Sequence, residues 1–328
     1  MTEPSLCPDP DISVVIPLYR SGDCIAVLLK QLIAVLEGLK RPYEVVLVDD
    51  GSPDNTWEIV RRTVPGYPHV AAIQLMRNRG QAFATLCGLA HARGQIVITM
   101  DDDLQHPPGE IPRLLAELEG NRDLDCVFGC FLEKQHAAYR NFGSQIMRWV
   151  MQKAFNLPRN FRSSTFRVMR QTLVRAILDH RTANPAMAVL IFNSTSRIKS
   201  VTVEHAPRYA GKSNYTLAKQ VRLALDGICN VSMFPLRAIS VAGMAVCGLS
   251  VVLIIKFLYE YLAGVTGVAG WTTVVVLLSF FAGMILLSLG IFGEYMVRIL
   301  REVRGAPPYV ERECIGGGDD DERIRTPE

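Results

Sequence analysis

Residues 97–108, VITMDDDLQHPP, run an apolar strand into three adjacent carboxylates, Asp101, Asp102 and Asp103, and then halt the chain with two prolines. Like charges about 4 Å apart repel by roughly 1 kcal/mol in water and roughly 4 kcal/mol at a protein surface. A positive charge is therefore expected where this strand ends. Working outward, ISVVIPLY (12–19), YEVVLVDDGS (43–52) and VAAIQL (70–75) read as three earlier strands, QIVITMD (95–101) as the fourth and DCVFGCF (125–131) as a fifth. Between them CIAVLLKQLIAVLEGL (24–39), QAFATLCGLAHARG (81–94) and IPRLLAELEG (111–120) read as helices. Strands alternating with helices predict an α/β fold of βαβ units around a parallel sheet. Ligands in such sheets gather outside the carboxyl ends of the strands. Acids stand at two of those ends, Asp49 and Asp50 after the second strand and Asp101 to Asp103 after the fourth.

A length of 328 residues fits one large domain or two smaller ones. The formal net charge of +3 is too small for a nucleic-acid binder, and no nucleic-acid partner is expected. The cysteines, Cys7, Cys24, Cys87, Cys126, Cys130, Cys229, Cys247 and Cys314, form no CxxC pair and no Cys/His cluster along the chain. Structural zinc is not expected, and a reducing compartment is. The N-terminal MTEPSLCPDPDIS has acid and proline where a signal peptide needs a basic and then an apolar run, which places the first half in the cytosol.

Residues 132–215 are rich in arginine. Beyond them a helix over 217–233 carries Leu217, Val221, Leu225 and Ile228 on one face and Lys219 and Arg222 on another, which suits a membrane surface or packing on a catalytic core. Two apolar segments, 236–262 and 271–297, each reach the about 20 residues of a membrane span; buried helices of a soluble core are the alternative. Basic flanks at Arg237 and at Arg298, Arg301 and Arg304, with none in the intervening AGVTGVAG, predict that both termini are cytoplasmic. The closing GGGDDDERIRTPE has the composition of a disordered tail. The expected organisation is a cytosolic domain over 1–215, an interfacial helix over 216–235, a two-helix transmembrane hairpin over 236–297 and a cytosolic tail over 298–328.

Alternate residues of an extended segment point the same way, so Asp101 and Asp103 are expected to converge while Asp102 faces elsewhere. With an amide oxygen from Gln105 they make an oxygen-rich site for Mg²⁺ or Mn²⁺. Solvated loop acids are the bland alternative for such a DxD, and a tight turn is the bland alternative for Asp50-Gly51-Ser52.

The order of VVIPLY, LVDDGSPDNTW, MRNRGQAFATLCGL and DDDLQHPPGEI resembles the nucleotide-sugar domain of family 2 glycosyltransferases, a Rossmann-like GT-A fold. DDDLQHPP is similar to the DADLQHPP of dolichol-phosphate mannose synthases and their bacterial relatives, with Asp102 where the family keeps a small residue. GEYMVRILREVRGAPPYVE (293–311) resembles the stretch after the second span in bacterial polyprenyl-phosphate glycosyltransferases, including the 4-deoxy-4-formamido-L-arabinose transferases that act on undecaprenyl phosphate. About residues 11–312 are covered.

The resemblance implies that Pro17 and Tyr19 line a nucleotide pocket, that Asp49 or Asp50 accepts hydrogen bonds from base or ribose, and that Asp101 and Asp103 hold the metal with Gln105 assisting. Asp102 would contact the donor ribose or remain solvated. YRNFGS (139–144) implies Arg140 and Ser144, and APRYAGKSNY (206–215) implies Arg208, Lys212 and Ser213, as binders of the lipid phosphate. The chemistry suits them, because arginine forks match phosphate oxygens. The implied reaction is inverting transfer of one sugar from a UDP- or GDP-linked donor to polyprenyl phosphate, by an integral protein of the bacterial inner membrane that assembles as a homo-oligomer. Three stretches depart from the family. PLYRS stands for PxYNE, with Arg20 and Ser21 in place of Asn and Glu; GCFLEKQ lacks a GxxR-like arginine, leaving Lys134 nearest; NFRSSTFRVM lacks an Asp, and Arg162 stands ready for a negatively charged donor or acceptor. The competing readings are a transferase that extends a lipid-linked glycan and a degenerate membrane scaffold.

Overall fold

The computed structural model describes residues 9–131, 161–180, 185–204, 270–303 and 309–316, with single positions between them. The chain divides into two compact units, Met1–Ala138, Phe155–Asn214 and Ala306–Glu328 forming the first, Tyr139–Ala154 and Tyr215–Gly305 the second.

The first unit is built on β1 (Ile12–Leu18), α1 (Gly22–Gly38), β2 (Tyr43–Asp49), α2 (Thr56–Thr63), β3 (Val70–Leu75), α3 (Gln81–His91), β4 (Ile96–Thr99), α4 (Ile111–Gly120), β5 (Cys126–Phe131), β6 (Arg167–Arg170), α5 (Gln171–Leu178), α6 (Met187–Ser194), β7 (Ile198–Val203) and β8 (Glu311–Gly316). All seven residues of β1 are buried. That is what a central strand covered on both faces requires, and its near-continuous apolar run reflects it. Successive side chains alternate between two cores: Val14 and Ile16 join Leu28, Leu32, Leu47 and Phe166 on one face, and Val15 joins Ile73, Cys87 and Phe128 on the other. Leu28, Leu32 and Leu36 recur every four residues along α1 and are buried, each such side chain contributing about 1.5–3 kcal/mol.

The eight strands order as β7-β5-β6-β4-β1-β2-β3-β8. This is a mixed sheet, which corrects the expectation of a parallel one. β6 enters antiparallel between β4 and β5, and β8 adds antiparallel to the edge of β3. Neither strand shows an apolar run. β6 is four residues long with arginine at both ends, and β8 alternates half-buried and exposed residues in the charged manner of an edge strand.

The order also locates the ligand crevice. From β1 the chain winds through β2 to β3 on one side, then crosses by α3 to place β4 on the other side of β1. The switch point therefore lies between the carboxyl ends of β1 and β4. Because β6 runs against β4 with Thr99 paired to Arg167, the first residue of β6 sits at that same end.

In the second unit the one continuous element among the described residues is a long helix, α7 (Trp271–Val303), 33 residues and about 50 Å in length. Val274, Leu278, Phe280, Ile285, Leu289 and Phe292 are exposed on it. Taken over the described residues alone, no helix meets the length and hydropathy of a membrane crossing. Its full sequence carries no charged residue from Trp271 to Gly293. Within the tail expected over 298–328, residues 298–303 continue α7 and residues 311–316 form β8. The helix expected at 217–233 and residues 317–328 lie outside the described residues, as do all but single positions of the segment at 236–262.

Candidate active site

A cleft of about 180 Å³ opens at the switch point, lined by Pro17, Gln81, Asp101, Thr165, Arg167 and Met187 among others. Asp101 is its acid. Gln81 Nε2, at the first residue of α3, donates to Asp101 Oδ1 at 2.6 Å, and Thr165 Oγ1, just ahead of β6, donates to Oδ2 at 2.7 Å. The His106 Nδ1 lies 3.8 Å from Oδ2. Thr165 is itself fixed, since its carbonyl accepts from Thr99 Oγ1 at 2.8 Å.

Arg167 brings a positive charge to the lining of the same cleft as Asp101. It is 6% exposed, with Nε donating to Ser164 O at 2.6 Å and its guanidinium 5.7 Å from the Phe128 ring centroid. Burial lowers its pKa, and nearby groups that include Asp101 act in the opposite direction. Arginine remains charged under such pressure.

Asp102 points away from this cleft, into the loop after β1. Its carboxylate accepts from Ser21 Oγ and, at 3.3 Å, from Tyr19 N. Burial pushes its pKa up to about 6, with Asp101 and Asp103 adding to the rise and the Ser21 and Tyr19 donors opposing it. Two departures from the family thus meet in space. A glutamate at position 21 would set a second carboxylate against Asp102, whereas Ser21 supplies a donor. The same loop holds Arg20 at φ +58, anchored by Arg20 N to Ser52 Oγ at 3.1 Å and Ser21 N to Thr56 Oγ1 at 3.0 Å.

The reason offered for pairing Asp101 with Asp103 is corrected. β4 ends at Thr99, the acids lie on a bent segment, and Leu104 takes φ +59, so strand alternation does not apply there. Asp103 Oδ1 accepts from Gln105 N at 3.1 Å, closing a local turn. The three acids do not gather as a set within 4.8 Å of one another.

Asp49 and Asp50 are 1% and 2% exposed. Asp49 accepts from Ser52 N at 3.2 Å and Gln74 Nε2 at 3.2 Å, and Asp50 from Arg79 N at 2.7 Å and Gly80 N at 2.8 Å. Burial raises both carboxyls and these donors oppose the rise. Their role in the structure is to tie the turn after β2 to the approach of α3. Gly51 at φ +61 completes it, because a Cβ there would stand 2.8 Å from Arg77 C and Asn78 N. Tyr19 is 44% exposed with Arg20 5.5 Å over its ring. Arg140, Ser144, Arg208, Lys212, Ser213 and Lys134 lie outside the described residues. Arg162 is described, but Arg167 is the arginine that lines the cleft.

Gln81, Thr165 and Arg167 were not singled out in the sequence, and Ser21 stood out only as a departure from the family with no partner assigned. The usable signal was TFR itself, where a hydroxyl stands directly before an apolar residue and an arginine in the stretch that lacks the family's Asp.

Residues 13–178 match glycosyl transferase family 2. An undecaprenyl-phosphate 4-deoxy-4-formamido-L-arabinose transferase of Edwardsiella ictaluri is 32% identical over 95% of this chain and 96% of its own length. Its namesake in Pseudomonas fluorescens is 33% identical over 93% of this chain and 90% of its own. The solved glucosyl-3-phosphoglycerate synthase of Mycobacterium tuberculosis overlaps 67% of the chain and 79% of its own at 17% identity and a TM-score of 0.49. With a GT-A, Rossmann-like sheet, an acid at its switch point and a relative matched over 95% of its length, the chain belongs to glycosyl transferase family 2 and is a glycosyltransferase.

Proposed function

We propose that this enzyme transfers a single sugar from a UDP- or GDP-linked donor to polyprenyl phosphate, undecaprenyl phosphate in a bacterium, with inversion at the anomeric carbon. The observation that carries the reading is Asp101, held by Gln81 and Thr165 at the switch point beside a buried arginine. The acceptor class is supported by relatives that bear undecaprenyl phosphate in their names and match nearly the full chain.

Asp101 and Asp103, with Gln105, offer oxygen donors only, a set that fits Mg²⁺ or Mn²⁺. Such an ion supplies charge neutralisation for the diphosphate of the donor as it departs. Arg167, itself buried, adds a fixed positive charge to the cleft, where it acts more strongly than a solvated charge. Pro17 and the exposed ring of Tyr19 flank the nucleotide, while Asp49, Asp50 and Asp102 hold the loops that meet its base and ribose. Arg140, Ser144, Arg208, Lys212 and Ser213 bind the acceptor phosphate. That phosphate is already an anionic nucleophile near neutral pH, so positioning replaces a strong general base.

The apolar run of α7 pairs with the segment 236–262 as a transmembrane hairpin between cytoplasmic termini, with 216–235 at the surface of the inner membrane. Its exposed Val274, Leu278, Ile285 and Leu289 then face lipid or a second copy in a homo-oligomer.

The test incubates membranes containing the protein with labelled UDP- and GDP-sugars, undecaprenyl phosphate and Mg²⁺ or Mn²⁺, followed by organic extraction. Label is expected in the organic phase as a lipid-linked monosaccharide, dependent on metal and acceptor. Label that stays aqueous across a broad donor panel sinks the reading, and label found only in longer lipid-linked glycans favours an extending enzyme.

A further inference from the structure

Far along α3 from Gln81, a second group of ligating side chains has formed. Cys87 and His91 stand four residues apart, hence on one face of the helix. Across from them is Glu311 of β8, 224 residues away from Cys87 in the chain. Among the described residues this is the one set of three whose thiol, imidazole and carboxylate atoms all lie within 4.8 Å of one another.

A β-bulge delivers Glu311 there. β8 pairs Cys314 with Ile73 and Glu313 with Gln74, then skips Arg312 and pairs Glu311 with Leu75. Glu313 faces α2, bonding Trp57 Nε1 at 3.1 Å and Arg61. Without the skip, Glu311 would share that face, since side chains alternate along a strand. The extra residue instead turns it toward α3. Bulges serve in this way to re-aim side chains beside functional sites.

The protons argue further. His91 Nδ1 lies 3.0 Å from the carbonyl oxygen of Cys87, which only accepts, so Nδ1 carries a hydrogen and donates it. Nε2 then faces Glu311 Oε2 at 3.6 Å, and Cys87 Sγ lies 3.6 Å from Oε1. An imidazole fixed through its other nitrogen to a backbone carbonyl is the usual posture of a metal ligand. Around tetrahedral zinc, bond lengths of about 2.3 Å to sulfur and about 2.0–2.1 Å to nitrogen and oxygen put S···O near about 3.6 Å and N···O near about 3.4 Å. Here the 3.6 Å separations run from Cys87 Sγ to Oε1 and from His91 Nε2 to Oε2, so the two oxygens of Glu311 bring both groups within reach of one ion without yet sharing a single oxygen. Cys314 interacts electrostatically with Cys87 and is exposed on the same strand.

We propose that Cys87, His91 and Glu311 bind a divalent transition metal of the zinc class, with water completing the shell, and that the ion staples β8 to α3. Thiolate and imidazole select such a metal over Mg²⁺ or Mn²⁺, so the site is chemically separate from the all-oxygen acids at Asp101. The proposal departs from the expectation of no structural zinc: the chain shows no Cys/His cluster in sequence, and folding brings Cys87 and His91 together with a glutamate.

The test titrates Co²⁺ into the full-length protein in detergent, stripped with chelator and kept reduced. A thiolate-to-cobalt charge-transfer band is expected, saturating at one equivalent, displaced by Zn²⁺ and preserved in Asp101→Asn. Cys87→Ser should abolish it, and Glu311→Gln, at a half-buried edge position, should weaken binding by about tenfold or more. Zinc should slow amide exchange across 309–316. No thiolate band in the wild type, a band that survives Cys87→Ser, or unchanged affinity in Glu311→Gln would overturn the proposal.

Discussion

The two ends of α3 hold ligating groups of opposite character. At the first residue, Gln81 steadies Asp101 in a cleft of oxygen donors; ten residues on, His91 joins Cys87 and Glu311 in a mixed sulfur, nitrogen and oxygen group. The first group is anchored in a motif of consecutive residues, and the second exists only because β8 returns to the sheet edge. The difference teaches that a site written in one loop can be read before folding, whereas a site written across a strand pairing cannot. It also separates chemistry from stapling, because each end can be altered without touching the other.

The largest expected effect comes from Asp101→Asn. Removing that charge should lower sugar transfer by about 10²–10³-fold, the scale of losing one preorganised electrostatic contact in a catalytic site. The melting temperature and the cobalt band should hold, and loss of the band would merge the two ends that are here kept apart.

Next comes the loop after β1. Ser21→Glu places a second carboxylate against the buried Asp102 and should destabilise the fold by about 1–3 kcal/mol, read by urea denaturation. The double variant Ser21→Glu with Asp102→Ala returns the carboxylate arrangement of the family and should recover most of that loss. A double variant no better than the sum of its parts would mean that the two departures are independent.

The smallest effect belongs to Gln81→Ala, which removes one hydrogen bond to Asp101. A loss of about 0.5–1.5 kcal/mol corresponds to a fall in transfer of roughly 2- to 12-fold. Cobalt affinity at the other end of the same helix should not change.

Much of the first unit was legible because apolar runs declare buried strands. β1, β2, β3, β4 and β5 and the helices α1, α3 and α4 all follow that pattern to within a few residues. The strands that were missed lack the signal: β6 is RVMR, β7 is half polar and β8 is ERECIG. Each owes its state to a neighbour, and no local pattern records a neighbour. The short α2, TWEIVRRT, buries only Thr56, Trp57 and Val60 and was equally silent.

The site divides along the same line. Asp101 stood out in its motif, but Thr165 lies 64 residues further on and reaches it only through the β4–β6 pairing. Arg167 was one arginine among many until Thr99 paired with it. Asp49 and Asp50 show the converse, since acids at a strand end suggested ligands and the structure buries them as anchors of a turn. Asp102 is explained by Ser21, a contact between residues 81 apart.

The central claim is that the acid at the switch point serves transfer of a sugar to a lipid phosphate. Its most direct test compares purified wild-type protein with Asp101→Asn, measuring label moved from a nucleotide sugar to undecaprenyl phosphate under saturating metal. The account predicts a lipid-linked monosaccharide from the wild type and a loss of about 10²-fold or more in the variant at unchanged melting temperature. Equal transfer by the two proteins would contradict it.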